Sequence, residues 1–387
     1  MTRLLAPVLA STLLLAACTT PPSTPTTPVT GHTPGTVTPT SQPVARYQLT
    51  DWSALPQTAD TDLVAGFDAW RRHCSKARES AFKPVCADAA KIAPDAAAIR
   101  AFLQSRLTPY ALRNDDGSDS GLITGYYEPV YPGSRERSAA ASVPVYGVPD
   151  DLITVELASI YPELKGKRLR GRVEGRKLVP YPDAGTIQRE GLATPALAWL
   201  TDPVDLQFMQ VQGSGRVRLA DGSELRLGYA DQNGHPYKPV GRWLVEQGVL
   251  PASEVSMQSI RQWARANPTR LAELLASNPS FVFFRTLPAS NDGPIGAMGV
   301  ALTAGYSLAI DPKAVPLGSP MLIATTTPDG APLQRLAAAQ DTGGAIRGQV
   351  RADFFYGTGD AAGELAGRMK QPGKLWLLWP KGAPPPQ

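Results

Sequence analysis

The composition of residues 19–45 is the feature that most constrains the fold, because these residues are almost all Thr, Pro, Ser, Gly and Val. A segment with so few large apolar side chains cannot bury enough surface to offset the entropy of ordering its backbone. We therefore predict an extended linker here, with the folded part beginning near residue 46. The remaining chain is long enough for about two domains, and a hydrophobic content of 43% is sufficient for their cores.

The residues before this linker carry a targeting signal. Residues 4–17 are mainly apolar, a stretch shorter than the roughly 20 residues that a membrane-spanning helix needs. The stretch ends in LAAC (15–18), which resembles the lipobox of bacterial lipoproteins. The resemblance implies a signal peptide over residues 1–17 and a lipid anchor on Cys18. Because Thr19 rather than Asp follows the cysteine, the implied location is the outer membrane, facing the periplasm.

Charge, cysteines and histidines exclude several protein classes. The net charge of +4 is small and dispersed, so nucleic acid is not expected as a partner. Cys74 and Cys86 remain after Cys18, and in an oxidising compartment we predict that they form a disulfide; two buried free thiols are the alternative. The three histidines do not lie at metal-ligand spacing, so no metal is expected. Nucleotide-binding and Ser-hydrolase motifs are absent, and we expect no cofactor.

The folded part is predicted to be mainly β with some helices. Apolar spacing of three and four residues predicts helices near residues 63–74 and 99–103, and shorter ones near 257–264 and 271–275. We predict strands at residues 121–129, 206–212 and 375–379. Asp221-Gly222 indicates a hairpin turn between two further strands.

Three aspartates in the last hundred residues lie in apolar, Gly-rich surroundings: Asp311, Asp341 and Asp353. A carboxyl group in an apolar pocket has a raised pKa, so it can stay protonated near neutral pH and act as a general acid. Asp353, between Ala352 and Phe354, has the most apolar flanks. The neighbouring residues alone leave a second interpretation open, because aspartates in β-rich loops are commonly turn formers.

The motifs around these aspartates resemble a known domain. Residues IDP…VPLGS (310–319), QDTGGAIRG (340–348) and ADFFYGTG (352–359) are similar to the three-aspartate (3D) domain, a double-psi β-barrel of bacterial wall enzymes. The chain after the linker resembles the family of membrane-bound lytic murein transglycosylase A. The segments that carry this resemblance are GLITGYYEP (121–129), FMQVQGSG (208–215), GYADQNGHPY (228–237), NPSFVFF (278–284) and GPIGAMGVALTAGYSLAIDP (293–312).

The resemblance implies a peptidoglycan lytic exotransglycosylase, a lyase that cleaves glycan strands without water. Asp353 matches the single catalytic aspartate of that family, with Asp341 and Asp311 as supporting groups. Asp353 would protonate the β-1,4 glycosidic oxygen between N-acetylmuramic acid and N-acetylglucosamine. It would then accept the proton of the muramic C6 hydroxyl as a 1,6-anhydro ring closes. Since the nucleophile belongs to the substrate, no second carboxylate is required.

Several other residues have the chemistry to bind sugar. Tyr126 and Tyr127 suit sugar faces, and Thr124 suits a sugar hydroxyl. Residues of the second segment offer hydrogen bonds at a predicted strand end: Gln210, Gln212, Gly213 and Ser214. The alternatives are a core role for the tyrosines and a simple turn at Gly213. The expected partners are peptidoglycan strands and the membrane, through the lipid on Cys18.

We expect a barrel domain built from residues 46–142 and 286–387, with a second β domain of residues 143–285 inserted. The glycan would lie in a groove between them. Three other functions remain open, among them a muramidase that uses water and leaves reducing ends. Asp341-Thr-Gly is the short motif of aspartic proteases, but that chemistry needs two carboxylates and the sequence Asp-Thr-Gly occurs only once in the chain. A non-catalytic peptidoglycan-binding lipoprotein would use the same groove without cutting the glycan.

Overall fold

A computed structural model of the chain describes residues 46–167 and 169–386. The predicted signal peptide, the Cys18 anchor and the linker therefore lie outside the described residues. Within the described ranges, no helix is both long enough and apolar enough to cross a bilayer.

One sheet is built from the two ends of the folded part. Its strand order is β1-β2-β17-β14-β15-β13-β16-β3, and β17 also pairs with β3, so six of the strands close into a barrel. The first segment contains β1 (Tyr47–Leu49), α1 (Asp60–Arg71), α2 (Phe82–Ala89), α3 (Ala96–Arg106), β2 (Leu107–Leu112) and β3 (Gly121–Glu128).

The chain leaves this sheet after Glu128 and builds a second, six-stranded sheet of order β12-β11-β10-β4-β9-β5. A small three-stranded sheet, β6-β7-β8, is formed by the residues between β5 and β9. The strands of this inserted part are β4 (Val130–Ser134), β5 (Val143–Tyr146), β6 (Ile153–Thr154), β7 (Arg170–Glu174), β8 (Lys177–Pro180), β9 (Ala196–Leu200), β10 (Ser214–Arg218), β11 (Glu224–Gln232) and β12 (Val282–Leu287). Its helices are α4 (Ala184–Glu190), α5 (Pro203–Gln212), α6 (Val240–Glu246), α7 (Met257–Ala266) and α8 (Leu271–Ala276).

The chain then returns to the first sheet. This last segment contains β13 (Ser307–Ile310), β14 (Pro320–Thr326), β15 (Pro332–Asp341), β16 (Ala352–Thr358), α9 (Asp360–Arg368) and β17 (Lys370–Pro380). The eight-stranded sheet and the six-stranded sheet each have their own hydrophobic core. The fold is thus mainly β with helices, in two parts, of which the second is inserted into the first.

Local sequence explains why the helices begin where they do. The Asp95 side chain accepts a hydrogen bond from the Ala98 amide and so caps α3, and Ser256 and Ser259 form a reciprocal capping box at α7. Helix α1 buries one face, including Phe67 and Trp70, against the barrel core. Just after α1, Cys74 forms a disulfide with Cys86 of α2, with a Cα–Cα distance of 5.5 Å.

The structure corrects the predicted strand at residues 206–212, which is the end of helix α5. Asp202 accepts a hydrogen bond from the Val204 amide and Pro203 occupies the first turn, a helix start that the sequence analysis missed. Every residue from Val204 to Gln210 is buried, polar ones included, so the segment has no solvent-exposed face to give the sequence a helical periodicity.

A second difference concerns the start of the inserted part, which was expected at residue 143. Strand β4 already belongs to the six-stranded sheet, where it pairs in parallel with β10. The crossover therefore lies at Pro129, between two strands that follow one another almost without a turn. Because GLITGYYEP and the residues after it form a nearly continuous extended run, composition gives no sign of the change of sheet.

Candidate active site

A row of paired residues brings two of the three predicted aspartates onto one face of the barrel sheet. Ala309 on β13 pairs with Asp341 on β15 and with Asp353 on β16. Asp353 in turn pairs with Thr124 on β3. Directly paired residues project to the same side of a sheet, and strands lie about 4.8 Å apart, so the backbones of the two aspartates are separated by roughly 10 Å.

The alternation of side chains explains why Asp353 lies on this face. Its neighbours Ala352 and Phe354 are packed in the barrel core. Because successive residues of a strand point to opposite sides, Asp353 and Phe355 must point the other way. Phe355 forms a small buried cluster there with Tyr126, Ala309 and Leu302. Asp353 therefore lies beside an apolar cluster on the outer face.

Burial of Asp353 is the main cause of its perturbed acidity. The loss of solvation raises the pKa of Asp353 to about 6, and the negative charge of Asp341 adds to the increase. A hydrogen bond from Thr124 and the positive charge of Arg351 act in the opposite direction. Thr124 Oγ1 lies 2.7 Å from Asp353 Oδ1. The group can consequently stay partly protonated near neutral pH and still ionise readily, as an acid that becomes a base requires.

Asp341 occupies the other side of the row. Its Oδ1 accepts a hydrogen bond from the Ala297 backbone N–H at 2.8 Å. Burial raises the pKa of Asp341 to about 6, although the backbone N–H groups of Ala297 and Thr342 partly offset that effect. Asp341 is thus held by the segment that returns from the inserted part, and its negative charge raises the pKa of Asp353.

Asp311 does not belong to this row. It is 7% exposed and follows β13. Its Oδ1 accepts a hydrogen bond from the Lys313 amide at 3.1 Å and its Oδ2 accepts one from the Gly348 amide at 3.0 Å. Asp311 therefore holds its own turn and the loop that joins β15 to β16, the two strands that carry the other aspartates.

The predicted sugar-binding tyrosines are largely packed in the interior. Tyr126 is 8% exposed, and its ring lies 5.2 Å from that of Phe355. Tyr127 is 6% exposed, and its hydroxyl lies 3.4 Å from the Tyr131 hydroxyl. A Cβ on Gly363 of α9 would meet the Tyr127 ring at 2.7 Å. Both rings thus offer little accessible surface to a sugar.

The residues at the end of α5 join elements instead of forming a strand end. Gln210 donates to the Val282 carbonyl, while Gln212 accepts a hydrogen bond from the Tyr127 backbone N–H at 3.1 Å. Gly213 ends the helix in the left-handed conformation at φ +76°, and the buried Ser214 opens β10. The Gln212 contact brings α5 of the inserted part against the end of β3, next to the row.

Arg351 is the residue at this site that the sequence analysis missed. Its Nη2 donates to Thr124 Oγ1 at 2.8 Å. Two consecutive hydrogen bonds thus link Arg351 to Thr124 and Thr124 to Asp353. Arg351 stands two residues before Asp353, the spacing at which side chains of a strand share a face. That spacing was the signal that could have identified it. In the described ranges, no cluster of His, Cys, Asp or Glu is arranged to hold a metal ion.

Comparison with known proteins gives a consistent result. The chain matches two family models, the MltA specific insert domain over residues 122–285 and the 3D domain over residues 306–379. Membrane-bound lytic murein transglycosylase A of Escherichia coli (strain K12) is 32% identical over 283 residues, which cover 71% of this chain and 70% of that protein.

Solved structures agree with this match. The monoclinic crystal form of MltA from Neisseria gonorrhoeae superposes with a TM-score of 0.77 at 38% identity, over 88% of this chain and 94% of that one. MltA from Escherichia coli with bound chitohexaose superposes with a TM-score of 0.67 at 25% identity, over 89% of this chain and 96% of that one.

Proposed function

Because the chain belongs to the membrane-bound lytic murein transglycosylase A family and is therefore a lytic transglycosylase of peptidoglycan, we propose that Asp353 is its only acid and base. The observation that carries this proposal is the setting of the carboxyl group. Asp353 is partly buried beside an apolar cluster, is bonded through one oxygen to Thr124, and has a pKa raised to about 6.

The proposed reaction has two proton transfers through this one group. Protonated Asp353 donates its proton to the glycosidic oxygen, and the bond from that oxygen to C1 of N-acetylmuramic acid breaks as positive charge develops on the ring. The ionised Asp353 then accepts the proton of the C6 hydroxyl while the C6 oxygen bonds to C1. The products are a free N-acetylglucosamine end and a 1,6-anhydromuramic acid end. Asp353 is protonated again, and no water is consumed.

Asp341 and Asp311 have supporting roles in this proposal. The charge of Asp341 favours the protonated form of Asp353 before the reaction. Asp311 holds the loop between β15 and β16 through the Gly348 amide and so fixes the spacing of the other two carboxyl groups. The Thr124 hydroxyl, which the sequence suggested for a sugar, is used to orient Asp353.

The substrate is proposed to lie across the row of paired residues, between the barrel and the inserted part. The related structure from Escherichia coli holds chitohexaose, an oligomer of N-acetylglucosamine. An oligomer with the same β-1,4 linkage as the wall glycan suits a site with carboxyl groups and a hydroxyl on one open face. The exposed positions beside Thr124, such as Leu122 and Lys370, would extend this face.

We also propose that the enzyme works from the outer membrane as a lipoprotein that faces the periplasm, anchored through acylated Cys18. The relatives are named membrane-bound, and LAAC at residues 15–18 provides a candidate acylation site. A lipid on Cys18 would hold the folded part near its wall substrate without a membrane-spanning helix.

Replacing the proposed acid tests the assignment. We expect Asp353→Asn to lower turnover by at least ~10²–10⁴-fold, because Asn has a similar shape but can neither donate nor accept the proton. The measurement is the release of muropeptides from isolated peptidoglycan, analysed by mass spectrometry. Asp150→Asn, at an exposed aspartate of the inserted part, is the matched control and should be fully active.

The product masses test the mechanism separately. Wild-type products should be lighter by one water than the products of hydrolysis. Reducing-end muramic acid would mean that water is the nucleophile, with Asp341 as the candidate base. A near-normal rate for Asp353→Asn would assign the acid to another group.

A further inference from the structure

Arg351 is a charged residue at the active site that the proposed reaction does not use. It immediately precedes β16 and lies two residues before Asp353, so the two side chains project to the same face. Arg351 is partly buried, and burial lowers the pKa of its guanidinium. Within residues 46–167 and 169–386, no carboxylate lies within ion-pair distance of Arg351. A desolvated cation without such a partner calls for a physical reason.

The backbone holds the guanidinium in place. Nη1 of Arg351 donates to the carbonyl oxygens of Leu122 on β3 and Ala352 on β16. The group therefore bridges the two strands that carry Thr124 and Asp353. Its remaining contact, from Nη2 to Thr124 Oγ1 at 2.8 Å, follows from that placement.

The number of donors fixes the direction of the two hydrogen bonds that link Arg351, Thr124 and Asp353. A guanidinium can only donate, so Thr124 Oγ1 must accept from Arg351. The Thr124 hydroxyl has one proton, and ionised Asp353 can only accept. The proton of Thr124 therefore points to Asp353 Oδ1, 2.7 Å away.

We propose that Arg351 is a positioning residue that commits the Thr124 proton to Asp353 Oδ1, so that the proton transferred to the glycan resides on Oδ2. This inference rests on the proposed role of Asp353 and adds the oxygen that carries the acid proton. Arg351 does not contact the reacting atoms. It acts through Thr124.

The charge of Arg351 also supports the second half of the reaction. Asp341 on β15, Tyr126 on β3 and Arg351 interact electrostatically with Asp353. Lys370 on β17 is the pairing partner of Thr124. Asp341 favours protonated Asp353, whereas Arg351 favours the carboxylate. Since Asp353 must be a carboxylate before it can accept the C6 proton, Arg351 assists the base step.

Removing Arg351 should therefore have two effects. In Arg351→Met, kcat should fall by about tenfold to a hundredfold, as expected for a misoriented reacting group, with little change in KM. The pKa of Asp353 should rise when the cation is lost. Since activity declines as Asp353 deprotonates, the alkaline limb of the pH profile of kcat/KM should move to higher pH. The assay is anhydromuropeptide release from isolated peptidoglycan between pH 4 and 9, a range that extends about two units or more on either side of the Asp353 pKa of about 6.

Two controls separate this role from a structural one. Arg368→Met removes an exposed arginine of α9 that bonds Asp329, and both the limb and kcat should stay at wild-type values. Arg351→Lys keeps the charge without the planar group, so the limb should return toward wild type while kcat recovers only in part. Arg351→Gln replaces the Met variant if the latter does not fold.

A double variant tests the route through Thr124. In a Thr124→Val background, Arg351→Met should cost less than it does in the wild type, because the hydroxyl that it orients is gone. Fully additive losses, or a reduced kcat with an unmoved alkaline limb, would overturn the proposal. The failure of this inference can be distinguished from failure of the proposed function. An inactive Asp353→Asn with an unmoved limb in Arg351→Met refutes only the role of Arg351, whereas an active Asp353→Asn refutes the assignment of the acid.

Discussion

In the proposed reaction, Asp353 has to act first as an acid and then as a base within one turnover, and its neighbours favour both the protonated and the ionised form. Burial and Asp341 raise its pKa, which keeps the proton available for donation, while Thr124 and Arg351 favour the carboxylate that must form next. Burial is the largest of these influences, and the resulting pKa of about 6 lies between that of an ordinary aspartate and neutrality. A single residue can therefore alternate between acid and base without a second carboxyl partner.

A prediction at this scale concerns Asp341. With Asn in its place, the like charge beside Asp353 disappears, so the pKa of Asp353 should fall. The acid form is then lost at lower pH, and the alkaline limb of kcat/KM should shift to lower pH, opposite to the shift in Arg351→Met. Turnover below that limb should remain within about tenfold of wild type, less than the loss for the general acid itself.

The measurement is the same pH series, with Asp329→Asn on an exposed surface as the control. A shift of the Asp341→Asn limb to higher pH would contradict the electrostatic role. Loss of all activity at every pH would instead indicate that Asp341 is itself the acid.

The three aspartates stand out in the sequence, but their geometry does not. The apolar flanks of Asp353 are visible in the sequence, and the structure shows why they matter, since Ala352 and Phe354 fill the core. The link from Arg351 to Thr124 joins residues 227 positions apart and depends on the register of β3 and β16. Such a pairing is decided by the whole sheet and leaves no local signal.

At the scale of elements, the helices and strands with strong local signals were predicted well. The regions of α1, α3, α7 and α8 show apolar spacing of three and four residues, and the Asp221-Gly222 hairpin lies between β10 and β11. Helix α5 was missed because it is buried on nearly all sides. A segment without a solvent-exposed face cannot be distinguished from a buried strand by the periodicity of its sequence.

A buried ion pair lies at the junction between the two parts of the molecule. Glu128, at the end of β3, is fully buried, and Arg216 on β10 donates to its Oε2 at 2.8 Å. Thr358 of β16 donates to the same oxygen at 2.9 Å, and Arg216 also bonds the Asp292 carbonyl in the returning segment. The pair therefore connects the barrel, the inserted part and the second crossover.

We predict that breaking this pair strongly destabilises the protein. Arg216→Met leaves Glu128 as a buried charge without its partner, and the free energy of unfolding should fall by about 3–5 kcal/mol. The double variant Glu128→Gln/Arg216→Met removes both charges and should recover part of that loss. Denaturant unfolding of the folded domain measures both values.

The control is an exposed pair of the same type. Arg242 and Glu246 lie on the surface of α6, and Arg242→Met should change the free energy of unfolding by at most about 1 kcal/mol. Equal effects for Arg216→Met and Arg242→Met would show that the buried pair does not hold the junction together.

At the scale of the whole molecule, the residues alone do not reveal that the barrel is built from two separate segments of the chain. Strands β3 and β16 are neighbours, yet the entire inserted part separates them in the chain. The expectation of an insertion came from the family resemblance, and the structure moves its start to Pro129. No feature of composition marks either crossover, because both parts contain similar strands and turns.

The last prediction concerns how the enzyme reaches its substrate from the membrane. If Cys18 is acylated, the folded part is tethered by residues 19–45, whose Pro and Thr content favours an extended chain of about 3 Å per residue. Such a tether could span roughly 80 Å at full extension. Cys18→Ser should therefore release the protein into the soluble periplasmic fraction with full activity on isolated peptidoglycan.

Deleting residues 24–43 should keep the anchor but lower wall cleavage in cells, because the folded part can no longer extend as far from the membrane. Fractionation with acyl labelling, and the amount of anhydromuropeptides released by cells, measure the two effects. A soluble wild-type protein without an acyl label would refute the anchor, and unchanged cleavage by the shortened, still anchored protein would refute the spacer.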